Sequence, residues 1–461
     1  MSLKSDLLRV SGSNAIVMLS SIINGLVLPY VLSIDGFADL KTYTLYASFI
    51  GFLHFGFIDG LNIKYGGNTY NQVDKVEFNS FHSFFIDFQL LILFFMVVVG
   101  CLLNNTTILL VSMAILPINL QSFFLNFYQA IGQFKDYAIA SIIVPIVTIV
   151  LTLMLAFLGV LDYRFYVCTT IFGYLISILF LEIKYKRKTT LGFYFNLKPT
   201  YILEEFKKNK LIFVSGFFIM LGNVLFTMFF DSGRWISKLY TNNLGFAKYS
   251  LGLSLIGFVV IFIGAVNKTF YPYLYRNNGS DTINKYKSIL YLIGSFSLLG
   301  FFILKLIITL FLPKYLDSLP LTAILMTSIP GMIIIQSIYV NLYKVQKKEK
   351  KFLFDTLLYL IVAIVLTLGF YMYFKTLISI AIATVVSIYI WAIFPRNCIE
   401  LTFKNILKDL IYIILVVLSF WFVYSFDLNL FESISILFLL LLFFNLLFFK
   451  KIVLNLYNSR I

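Results

Sequence analysis

The chain is written as a series of apolar runs, each about as long as a bilayer crossing and separated by short polar connections. A hydrocarbon core needs about 20 apolar residues per helix. Only helices or closed barrels satisfy every backbone polar group there. Runs at 13–33, 43–65, 83–103, 108–129, 138–159 and 164–183 are followed by 211–231, 247–272, 288–312, 319–343, 355–374 and 376–395. Two shorter runs, 409–426 and 432–449, close the series. The expectation is an all-α polytopic membrane protein with about fourteen transmembrane helices. Hydrophobic residues make up 60% and charged residues only 12%, a balance that no water-soluble core accommodates. The first run follows Lys4 and Arg9 without a small-residue cleavage site, so it reads as a retained helix and not a signal peptide.

The basic residues sort by side. Alternate connections with the run ends that open onto them, counted from the N-terminus, hold 28 of the 36 Lys and Arg. The opposite connections hold seven: Lys41, Arg164, Arg234, Lys238, Lys248, Lys314 and Lys375. Lys305 falls inside a run. Positive residues stay cytoplasmic, so both termini are expected inside a bacterial plasma membrane. The net charge of +15 then reads as topology, and no nucleic-acid partner is implied. Clusters at Lys184–Lys188, Lys207–Lys210 and Lys344–Lys351 fit anionic lipid headgroups or act as orientation signals alone. Cys101, Cys168 and Cys398 form no spaced pair, so neither a disulfide framework, a metal site nor a cofactor is expected.

An internal repeat organises the runs. Residues 43–52 read YTLYASFIGF and residues 249–258 read YSLGLSLIGF, with six identities at a constant offset of 206. Asn126-Phe127-Tyr128 and Asn341-Leu342-Tyr343 each close a fourth run. The expected organisation is an N-terminal six-helix lobe (1–183), a basic cytoplasmic linker (184–210), a C-terminal six-helix lobe (211–396), and two extra helices with a tail (397–461). Parallel halves of this kind are the architecture of alternating-access transporters, whose site lies between the repeats.

Three segments carry a resemblance. GFIDGLNIKYGG (Gly56–Gly67), FYQAIGQFKDYAIA (Phe127–Ala140) and FFDSGRWISKLYTNNLGFAKYSLGLSL (Phe229–Leu255) resemble helix ends and turns of bacterial oligosaccharide flippases. These form the polysaccharide-transporter branch of the multidrug/oligosaccharidyl-lipid/polysaccharide (MOP) exporter superfamily. The resemblance spans the whole chain in helix count and repeat, and about 50 residues in recognisable pattern. It implies two rocking lobes and, as partner, a glycan on an undecaprenyl diphosphate carrier, such as an O-antigen or other surface-polysaccharide unit. It also implies work as a monomer that flips the glycan from the cytoplasmic to the outer leaflet, near a glycan polymerase. The physics suits such cargo, because a diphosphate-linked glycan cannot cross about 30 Å of hydrocarbon without a polar path. Asn24, Asn119, Gln121, Asn126, Gln129 and Asn223 are amides within the runs that suit sugars, although aromatic and amide residues at helical spacing also serve packing.

Ionisable residues within the runs are costly and so are functional candidates. His54, Asp59 and Asp87 are candidates for gating or for coupling to a cation, proton or sodium; a structural hydrogen bond is the alternative. Gly56 and Gly60 form a G-x-x-x-G beside Asp59, a spacing that favours close helix approach. Lys268, Arg234, Lys238 and Lys305 are candidates for binding the diphosphate. Snorkelling explains Lys268 equally well, and a solvated ion pair with Asp231 is the alternative for Arg234 and Lys238. His54 and Asp59 also match an acyltransferase H-x-x-x-x-D pattern. On an ideal helix, positions five apart are about 140° apart, so the two side chains would not face each other.

Competing readings are a lipid II flippase and a cation-coupled drug antiporter of the same superfamily. A membrane glycosyltransferase or polymerase needs a sizeable outer loop with paired carboxylates or a metal motif. The longest expected outer loop, roughly 232–246, holds no acid pair. No catalytic residues are expected.

Overall fold

The computed structural model describes residues 3–189, 199–276, 279–396, 403–426 and 428–458, and all regular structure among them is helical. The N-terminal part contains α1 (Leu3–Val31), α2 (Ile34–Ala47), α3 (Phe57–Tyr65), α4 (Lys75–Leu102) and α5 (Thr106–Ala130). It continues with α6 (Phe134–Phe157), α7 (Tyr163–Thr189), α8 (Pro199–Lys208) and α9 (Lys210–Tyr240). The remainder holds α10 (Asn243–Arg276), α11 (Ser280–Phe296), α12 (Gly300–Phe311), α13 (Leu319–Met326), α14 (Ile329–Ile334) and α15 (Val340–Val345). It closes with α16 (Glu349–Phe374), α17 (Leu377–Ile393), α18 (Phe403–Ser425) and α19 (Leu430–Asn458).

Ten helices among the described residues are long and apolar enough to cross a membrane, or up to twelve if each of two bent pairs is one span. α17 is a shorter apolar helix of 17 residues. The chain is a multi-pass membrane protein.

Helix ends follow from the sequence. Asp74 caps α4 by accepting from the backbone N–H of Val76 (2.9 Å) and Glu77 (3.2 Å). Asn105 caps α5 through Ile108 N–H at 3.1 Å. The connection between α9 and α10 is only Thr241–Asn242. The expected outer loop at 232–246 is therefore absent: apolar and small residues sustain the helix through Arg234 and Lys238, and Asn242 turns the chain by accepting from Gly245 N–H at 2.9 Å.

The chain divides into two compact units, Met1–Val224 and Leu225–Ile461. In the first, α1 packs on α6, α4 on α5, and α6 on α7. Lipid tails are as apolar as leucine, so dispersion and interhelical polar bonds hold such helices together. The unit's core is aromatic: Phe78 stacks on Phe127 with centroids 3.9 Å apart, and Phe57 lies 5.0 Å from Phe213 and 5.6 Å from Phe85. Such pairs contribute about 0.5–1.5 kcal/mol each beyond burial. Gln121 on α5 donates to Ala140 O on α6 (3.2 Å) and Ser177 Oγ on α7 (2.9 Å).

In the second unit, α16 pairs with α17, α18 pairs with α19, and α11 packs on α14 and α19. Tyrosine hydroxyls satisfy carbonyls near the end of α17: Tyr339 donates to Ala392 O at 2.5 Å, and Tyr359 to Phe394 O at 2.5 Å. A buried ion pair, Lys287 with Asp409, joins α11 to α18.

The two repeat segments differ in backbone. Tyr43, Leu45 and Ile50 are buried, as are their counterparts Tyr249, Leu251 and Ile256. Residues 249–258 lie in one continuous helix, whereas 43–52 run off the end of α2 into a 3-10 turn at Ile50–Phe52. The second repeat anchor matches locally: Asn126 Nδ2 donates to Ser122 O at 2.9 Å, and Asn341 Nδ2 to Ser337 O at 3.0 Å.

Candidate functional site

The second apolar run of the sequence is bent by 49° between Ile34–Phe52 and Phe57–Tyr65. The break is made by two consecutive left-handed residues, Phe55 (φ 50°) and Gly56 (φ 85°). Glycine adopts this conformation without penalty; phenylalanine does so only where the surroundings hold it. The freed backbone is partly satisfied from neighbouring helices. Gln89 on α4 donates to Leu53 O at 3.2 Å, and Asn119 on α5 donates to Gln89 Oε1 at 2.7 Å. In lipid, an unsatisfied carbonyl costs several kcal/mol, so these two amides support the break.

The break brings His54 and Asp59 together. Gly56 N–H donates to His54 Nδ1 at 3.1 Å. This leaves Nε2 as the ring nitrogen that carries the proton in the neutral form. Nε2 lies 3.8 Å from Asp59 Oδ2. The expectation from an ideal helix, that these side chains point apart, is therefore corrected: the helix is interrupted between them. The distance exceeds a hydrogen bond and is an electrostatic contact. His54 is buried, and the Asp59 side chain keeps 23% exposure.

The glycines beside Asp59 do what their spacing predicts. A Cβ on Gly60 would overlap Ile212 O on α9, a Cβ on Gly216 would overlap Gly56 O, and a Cβ on Gly56 would lie 2.6 Å from Phe217 N. Backbones of α3 and the start of α9 thus touch. Gly216, the matching small residue, sits outside any motif visible in the sequence.

Next to this crossing is a cavity of about 890 Å³, lined among others by Gly60, Lys64, Glu77, Asn79, Ile212 and Ser215. Lys64 pairs with Glu77, and its Nζ lies 4.6 Å from the centre of the Phe81 ring. Lys64 falls at the end of the 43–65 run, and neither it nor Glu77 stands out in the sequence.

The other candidates are dispersed. Asp87 is fully buried in α4. Arg234 is half-buried in α9, one turn from Asp231, with which it interacts electrostatically. Lys238 Nζ lies 5.0 Å from the Phe246 ring centre. Lys305 on α12 lines a separate pocket of about 220 Å³ with Thr309 and Ser433. Lys268 falls within α10, but its side chain lies outside the described residues.

No family model matches the sequence, and no curated protein matches it. Solved structures do. One, the lipid II flippase MurJ in an inward closed conformation, superposes with a TM-score of 0.70 at 15% identity, covering 97% of this chain and 99% of that one. The chain has the MurJ fold. A multidrug-resistance MATE family transporter of the MOP superfamily, in an inward-facing conformation, gives a TM-score of 0.59 at 14% identity, covering 87% of this chain and 95% of that one. The MurJ fold therefore accounts for nearly the full length here, and the MATE likeness for somewhat less. Within that shared fold, the broken α2–α3 segment carries His54 and Asp59.

Proposed function

We propose that this protein is a flippase that moves an undecaprenyl-diphosphate-linked oligosaccharide from the cytoplasmic to the outer leaflet by alternating access. The observation that carries this reading is the extent of the likeness to the lipid II flippase: 97% of this chain, against 87% for the multidrug transporter. A shared fold does not fix a substrate; the resemblance of Gly56–Gly67, Phe127–Ala140 and Phe229–Leu255 to oligosaccharide flippases supports a glycan head. In this reading fourteen spans form two six-helix lobes and a C-terminal pair, with both termini cytoplasmic. Asp59, with His54 beside it, is the group that couples the movement to a cation gradient. Lys268, Arg234, Lys238 and Lys305 attract the diphosphate at successive depths. A diphosphate between leaflets must stay paired or hydrated, which cationic side chains provide through charge-assisted hydrogen bonds.

Depletion tests the reading in cells. Without the protein, lipid-linked glycan accumulates on the cytoplasmic leaflet and surface polysaccharide falls. Surface polysaccharide at the normal level, in a strain with no second flippase, overturns the glycan assignment. A block in cell-wall synthesis in its place redirects it to lipid II.

A further inference from the structure

The cavity beside the α3–α9 crossing lies wholly in the first unit, and its lining has a composition that the diphosphate does not suit. Two cations, Lys64 and Lys208, face two anions, Asp74 and Glu77, so the charge of the lining sums to zero. Each cation already has a carboxylate partner: Lys64 has Glu77, and Lys208 has Glu205 at 3.1 Å. A phosphate entering here would compete with those carboxylates and meet Asp74 as a like charge. An isolated cation would meet the lysines in the same way.

The rest of the lining offers hydrogen-bonding groups of both senses and apolar edges. Asn79 and Ser80 stand on α4, and Asn209 just before α9. Tyr185 donates to Asn79 Oδ1 at 3.3 Å, which aligns the amide. Phe81, Ile63 and Ile212 supply apolar surface. Sugar hydroxyls both donate and accept, and the C–H face of a pyranose suits an aromatic or aliphatic wall. A volume of about 890 Å³ is at the upper end of the range for small-molecule sites.

We propose that this cavity is a subsite for the electrically neutral sugar portion of the head group, separate from the residues that meet the diphosphate. The proposal rests on the glycan-flippase reading for its biological ligand, but the chemistry of the cavity is testable without transport. The sugars dock through Lys64, Glu77 and Asn79, and Gly60 with Ile212, in contact at the tight helix crossing, form one edge of the site.

The test uses the full-length purified chain with Cys101, Cys168 and Cys398 replaced by serine and a single reporter, Ser80→Cys, in the cavity. Maleimide labelling is timed with neutral oligosaccharides of two to four sugars, with the same sugars carrying carboxylate or sulfate, and with inorganic pyrophosphate. Neutral sugars are expected to slow labelling at least five-fold, the charged probes less than two-fold, and Asn79→Leu to abolish protection. Ser215→Cys, which lines the cavity from α9, serves if the first reporter does not fold. Equal protection by pyrophosphate, or none by any neutral sugar at either reporter, overturns the proposal. Protection without movement of lipid-linked glycan in vesicles removes the transport reading and keeps the subsite. Movement without protection does the reverse.

Discussion

His54 Nε2 and Asp59 Oδ2 lie 3.8 Å apart, five residues apart in sequence and on opposite sides of a helix break. Had the helix continued, the two side chains would be about 140° apart around its axis. The interruption at Phe55–Gly56 is therefore what creates the pair. It also distinguishes Asp59 from Asp87, the other carboxylate considered for coupling, which is fully buried in the continuous α4.

A carboxylate that keeps part of its surface accessible can exchange a cation, whereas a fully buried one acts first on packing. Asp59→Asn is expected to remove the dependence of transport on an imposed proton or sodium gradient while protein levels hold. Asp87→Asn is expected to change stability more than coupling. Gradient-dependent transport in both variants excludes both carboxylates as the coupling group.

Gly216 meets Gly56 and Gly60 backbone to backbone, with no room for a Cβ. Gly216→Val is therefore expected to lower the melting temperature of the detergent-solubilised protein, with a cost of at least about 1–3 kcal/mol from overpacking. Gly257→Ala is the control, because no atom lies within 4 Å of its Cβ direction. Equal melting temperatures for the two variants would contradict the close crossing.

The apolar runs were legible because hydrocarbon imposes length and composition directly, but helix ends were not: α4 begins at Lys75 and not near 83, and α9 runs on to Tyr240 and not 231. Asp74 and Asn105 cap helices from polar connections that the sequence marks plainly. The break after Ala47 was not legible. Residues 43–65 are apolar over enough length for one span despite His54 and Asp59, and the similar decapeptide at 249–258 does stay helical. What differs lies in space: Gln89, itself held by Asn119, takes up a backbone carbonyl of the break, and Gly216 admits α3. The Gly56-x-x-x-Gly60 spacing pointed to a close approach, but its partner could not be read because Ile212 and Gly216 follow more than 150 residues later.

Lys287 and Asp409 form a buried pair between α11 and α18. Removing one partner strands the other charge, at about 3–5 kcal/mol, whereas replacing both with apolar residues is close to neutral. Lys287→Met and Asp409→Leu should each lower thermal stability sharply, and the double variant should recover most of it. A double variant as unstable as the sum of the singles would remove the pairing.

The charge asymmetry predicts which side each connection faces. Single cysteines at Arg187 and Lys350 should resist a membrane-impermeant maleimide added from outside, and those at Asn104 and Asp317 should react. The Asp317 side chain is exposed, whereas Tyr315 nearby is fully buried. Reversed labelling would invert the orientation.

The most direct measurement reconstitutes the purified chain in vesicles with an undecaprenyl-diphosphate-linked glycan bearing a fluorophore on the sugar, and adds a membrane-impermeant quencher outside. With protein present and a cation gradient imposed, the quenched fraction should rise well above the roughly half expected from outer-leaflet lipid alone, and the rise should be lost with Asp59→Asn. Quenching that stays at the level of protein-free vesicles, with protein folded and gradient intact, would contradict the account.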